Sequence, residues 1–147
     1  MKFLICIFNL IYLNFIIIIK KEISKKKVII FYHPNVKLIN IHARFIEGLL
    51  NNNEYFVLNL HQNYFLKKKK YFFLIDYFCN FILNSDFFIS NNVCDFFTPN
   101  SKRIYIHHDI YDTPLIDKKK EKNLNFRLSK YDYILLASNI TKQIFLR

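Results

Sequence analysis

The sequence predicts a doubly wound α/β fold built on a mainly parallel, Rossmann-like sheet. Three observations predict it. Short β-branched and aromatic runs recur along the chain, each of strand length. Segments with helical periodicity or an apolar run of helix length separate several of them, which is the signature of βαβ units. Polar residues cluster just after the strands, at the edge where open α/β sheets gather ligands.

The first element is an apolar helix. Phe3 to Ile19 reads FLICIFNLIYLNFIIII, 17 positions interrupted only by Asn9 and Asn14. This is near the lower limit for crossing a bilayer. There is no small-residue cleavage site and no basic segment ahead of it beyond Lys2, so it is a poor secretory signal. Lys20 to Lys27 (KKEISKKK) follows at once, and the positive-inside rule then keeps the remainder in the cytoplasm. Residues 1–24 are therefore expected to be a membrane-associated or anchor helix, spanning the membrane or lying on the inner leaflet, with burial against a partner as the competing picture. Residues 25–147 are expected to form the α/β domain.

KVIIFY (Lys27 to Tyr32) reads as the first buried strand and YFVLNL (Tyr55 to Leu60) as the second. Between them a helix is expected from about Ile39 to Leu50, with Leu38, Ile41, Phe45 and Leu49 on one stripe. Tyr71 to Leu83, apolar almost throughout, reads as a buried helix. SDFFISNN (Ser85 to Asn92), RIYIHH (Arg103 to His108) and YDYILLAS (Tyr131 to Ser138) supply three further strands. Short helices are expected over Asn123 to Ser129 and Asn139 to Leu146.

Composition narrows the function. The 147 residues carry a formal charge of +11, concentrated in Lys20 to Lys27, Lys67 to Lys70 and Lys118 to Lys122. An anionic membrane surface suits such runs; without zinc-finger spacing or RNP-like aromatics, nucleic acid is not an expected partner. Cys6, Cys79 and Cys94 are far apart and form no CxxC, so neither a disulfide framework nor a metal site is implied. With Gly48 as the single glycine, GxGxxG, the P-loop and GxSxG are all excluded. Any ligand must then be held by residues following the strands: His33, Asn35, Asn91, Asn92, His107, His108, Asp109 and Ser138. Histidine can act as acid or base near neutral pH, which makes the adjacent His107 and His108 the acid–base candidates, with Asp109 beside them.

SDFFISNN, then SKRIYIHHDIYDTPL, then KYDYILLASNITKQIF resembles the N-terminal half of CDP-glycerol glycerophosphotransferases, a family of the two-domain GT-B class. The matching residues are His108, Thr113, Pro114, Leu115, Asp132, Ser138 and Phe145. Asp109 stands where the family has glycine, and Tyr111 and Asp112 lengthen the turn before Thr113. The resemblance implies a GT-B-type N-terminal domain, the acceptor-side half of a transferase of cell-surface polysaccharide biosynthesis. It implies no resident cofactor, CDP-glycerol as donor substrate and a lipid-linked acceptor at the inner-membrane surface. A separate C-terminal half would bind the donor, and without it this half is expected to be inactive. His108, or equally His107, would be the base, Asp109 would orient it, and Thr113 and Ser138 would bind substrate. Two alternatives stand beside it: a non-catalytic membrane-associated binding module, and a flavodoxin-like quinone reductase, from VIIFYHPNVKLINIHARFIEGLL.

Overall fold

In the computed structural model, residues 1–33, 48, 54–61, 71–82, 85–91, 93–94, 96–106 and 126–136 are described. They form a Rossmann-like α/β domain whose six strands are all parallel. The strands are β1 (Lys27–His33), β2 (Tyr55–His61), β3 (Tyr71–Phe73), β4 (Phe87–Ser90), β5 (Lys102–Ile106) and β6 (Tyr133–Leu135). Their spatial order is β3-β2-β1-β4-β5-β6, so the direction of winding reverses between β1 and β4. Register is continuous across that centre: Phe31 sits beside Asn59 on β2 and Ile89 on β4, and His33 beside His61.

Alternation sorts the strands into two faces. One carries Val28, Ile30 and Tyr32 of β1, Leu58 and Leu60 of β2, Phe88 of β4 and Tyr105 of β5, all buried in the main core. Tyr32 stacks on Phe88 at 5.8 Å, and Phe88 meets Phe97 edge-on at 5.5 Å. The opposite face carries Ile29, Phe31, Val57 and Ile89 as a smaller cluster.

The N-terminal helix α1 (Lys2–Ile18) covers the main core. Its inner stripe, Cys6, Leu13 and Ile17, is completely or almost completely buried against the same cluster. The two polar interruptions of the apolar run do specific work. Asn9 donates from Nδ2 to the carbonyl of Phe73 (2.9 Å), and Asn14 to that of Phe81 (3.0 Å). A π-helical turn, Ile19–Ile23, and Lys25 at φ 53° then bring the chain round into β1. The helix is long and apolar enough, over Lys2–Ile23, to cross a membrane.

The buried helix expected over Tyr71 to Leu83 is not formed. Tyr71–Phe73 instead add β3 beside Asn59–His61, and a 3-10 helix follows at Asp76–Phe81. Length and apolarity alone do not separate a helix from a short strand and turn, and here the exposed edge of β2 recruits the first three residues. The strand over Ser85 to Asn92 is shorter than expected, Phe87–Ser90, and that over Arg103 to His108 begins at Lys102 and is described to Ile106. Gly48 has helical backbone and 126–128 form a helical turn; the rest of the helix expected over Ile39 to Leu50, and that over Asn139 to Leu146, lie outside the described residues.

Candidate functional site at the carboxyl edge of the sheet

The reversal of winding between β1 and β4 opens the sheet's carboxyl edge at one place, where a ligand can lie between connections that leave in opposite directions. The residues arriving there are His33 at the end of β1, His61 at the end of β2 and Asn91 directly after β4. The smaller apolar face becomes polar as it approaches this edge. Ile29 and Val57 give way to Phe31 and Asn59, and on β2 to His61, whose backbone pairs with His33 in register. Asn59, His61 and Asn91 are each at least 97% buried. Buried amides and imidazoles are retained only where their hydrogen-bonding capacity is used.

His61 is a candidate residue that sequence reasoning missed. Its signal was present: in Val57, Asn59 and His61 the polar residues share one parity of an otherwise apolar strand. Its ring lies 6.4 Å from that of Phe73, and burial pushes its pKa below the ordinary 6.5. Near pH 7 the ring is therefore neutral, able to accept a proton at one nitrogen while donating from the other.

A second group fixes the loop that leaves β4. Ser90 and Tyr131 share a hydrogen bond through their hydroxyls at 2.9 Å, and the Cys94 amide donates to the same tyrosine oxygen at 3.0 Å. The Cys94 thiol lies 3.2 Å from that oxygen. Burial drives the Tyr131 phenol far above its usual range, and it stays protonated. Arg127 donates to the Val93 carbonyl at 2.6 Å, while Arg103 donates to the Lys130 carbonyl at 3.1 Å and lies over the Phe97 ring. Arg127 thus ties the helical turn at 126–128 to the segment after β4, while Arg103 ties the start of β5 to the turn before β6.

No protein-family model, curated protein or solved structure matches the chain.

Of the residues expected at the site, His33 and Asn91 do lie at this edge, at the ends of adjacent central strands. Asn35, Asn92, His107, His108, Asp109, Thr113 and Ser138 lie outside the described residues. In the chain His107 directly follows Ile106, the last described residue of β5. Asp132, one of the residues carrying the family resemblance, is at the opposite edge. Its carboxylate accepts from the Arg103 amide at 2.7 Å, and its own amide donates to the Arg103 carbonyl at 3.0 Å. It staples the start of β6 to β5. Among the described residues no three His, Cys, Asp or Glu side chains come together as a metal site would require.

Proposed function

We propose that this chain is the acceptor-side half of a CDP-glycerol glycerophosphotransferase-like enzyme, working at the cytoplasmic face of the cell membrane. The observation that supports this reading is the polar carboxyl edge at the β1–β4 reversal, the part of such a fold that receives a small polar ligand. The sequence resemblance supplies the chemistry. An acceptor hydroxyl, on a lipid-linked sugar or polyol phosphate, attacks the β-phosphorus of CDP-glycerol. A new P–O bond forms, the phosphoanhydride bond breaks, and CMP leaves. His108 or His107 takes the hydroxyl proton, with Asp109 orienting the ring, a role worth about a hundredfold or more in rate. His33, Asn35, Asn91, Asn92, Thr113 and Ser138 hold the acceptor. His61, neutral and beside His33 in register, joins them.

The test is CMP release from CDP-glycerol, measured with a donor-binding domain supplied in cis or in trans. His108→Ala or His107→Ala is expected to lower kcat by about a hundredfold or more. Unchanged turnover in both variants would remove the base assignment. An absence of CMP release under every condition, with glycerol phosphate binding retained, would leave a binding module in place of an enzyme.

A further inference from the structure

The outer face of α1 is apolar although the helix already has a partner. Phe3, Leu4, Phe8, Ile11, Tyr12, Phe15 and Ile18 are each more than half exposed, and all but Phe3, which flanks the buried stripe of Cys6, Leu13 and Ile17, lie on the side away from it. The patch continues onto the neighbouring 3-10 helix and the residue before it. Ile75, Tyr77 and Phe81 are exposed there, and Phe3 contacts Phe78 edge-on at 5.7 Å while Tyr77 contacts Phe81 at 5.7 Å. Soluble monomers rarely leave so many large apolar side chains together. Lysines flank the patch in the chain: Lys2 before it, and Lys20, Lys21, Lys25 and Lys26 after it.

We propose that this face seats the domain on an anionic lipid surface, with α1 lying in the plane of the membrane while still docked on the sheet. A helix that crossed the bilayer would have to leave the domain. It would break the bonds from Asn9 to Phe73 and Asn14 to Phe81, and uncover Leu74, Phe78, Cys79 and Ile82. An in-plane helix keeps all of these. The sheet takes the side that an interfacial helix normally gives to water, and the apolar side enters the headgroup–acyl boundary. Tyr12 and Tyr77 suit that depth, with apolar rings and hydroxyls that reach water. Lys2, Lys25 and Lys26 add positive charge beside the patch, which suits an anionic leaflet, while Lys21 is neutralised by Asp86. This reading shares only the membrane location with the proposed function, and the two fail separately, because vesicle binding needs neither donor nor acceptor.

The chain has no tryptophan, so single tryptophans report depth without background. The full-length protein is mixed with phosphatidylglycerol–phosphatidylcholine vesicles, and Phe3→Trp, Ile11→Trp and Ile18→Trp are each quenched by lipids brominated at different depths. All three are expected at the same shallow depth, with binding reduced at least tenfold on pure phosphatidylcholine. Phe8→Ser with Phe15→Ser, which changes only exposed positions, is expected to lose binding at least tenfold while keeping its circular dichroism. Ile11→Trp at the bilayer centre, with Phe3→Trp and Ile18→Trp near the two surfaces, would mean a spanning helix and overturn the proposal. So would a dimer closed through this face that ignores vesicles.

Discussion

The two edges of the sheet are built on opposite principles. At the amino edge, each polar group described is consumed by the fold. Asp86 accepts the Val28 amide at 2.7 Å and the Lys21 ammonium at 2.9 Å, while its own amide donates to the Val28 carbonyl and its carbonyl accepts from Lys102. Asp132 repeats the pattern on Arg103. Nearby, Ser85, Thr98 and Ser101 form a buried hydroxyl chain that closes the turn at Pro99 and Asn100, the latter at φ 59°. At the carboxyl edge, the buried His61 imidazole and the amides of Asn59 and Asn91 lie on the central strands and just after them, and the neighbouring loop is braced from behind. Similar polar residue types staple strands together at one edge and mark the candidate site at the other. What separates the two is topology, since only one edge has connections leaving in opposite directions.

Breaking the staple at the amino edge should have the largest effect. Asp86→Ala is expected to cost about 2–3 kcal/mol, because a charged acceptor is removed from a main-chain amide between two central strands. Asp132→Ala, on more exposed groups near the sheet's margin, should cost only about 0.5–1 kcal/mol. Urea unfolding monitored by circular dichroism measures both, and equal losses would mean that position in the sheet does not set the staple's worth. Next in size is the brace. Tyr131→Phe leaves the buried Cys94 amide without its acceptor, at about 1–2 kcal/mol. If the carboxyl edge is a site, this variant should also weaken glycerol phosphate binding more than Asp132→Ala does, by titration calorimetry.

The smallest effect is a pH slope. The folded state holds the His61 pKa below its unfolded value of 6.5, so the unfolded chain binds more protons just below that pH. Stability contributed by the neutral ring is complete above about pH 6.5 and declines as pH falls through that value toward the folded pKa. His61→Gln should flatten this acid limb of the stability curve and leave the plateau at pH 7.5 nearly unchanged. An unaltered limb would assign the slope to other groups.

These contrasts also explain what was legible in the sequence. β1, β2, β4 and β5 were readable because β-branched and aromatic runs of strand length leave few alternatives. β3 was not, because three residues within a longer apolar run become a strand only when a neighbouring edge is open to them. The apolar helix was readable, but its seat was not: Asn9 and Asn14 look like blemishes in a membrane segment until Phe73 and Phe81 offer carbonyls from more than sixty residues away. At the carboxyl edge, the positions of His33 and Asn91 followed from strand ends alone. His61 needed the register of β1 against β2, and the Tyr131 brace needed the loop after β4 to fold back, which no local spacing encodes.

Asp86 has one more consequence, in the order in which the chain is made. Lys21 and Val28 are synthesised well before it, 65 and 58 residues ahead of the carboxylate that will hold them. Until then α1 and β1 have left the ribosome with neither the strand that completes the centre of the sheet nor the anion that neutralises the helix end. The nascent chain therefore passes through a stage in which the helix end and β1 exist without the one carboxylate that anchors both, and that anchor closes only as β4 follows.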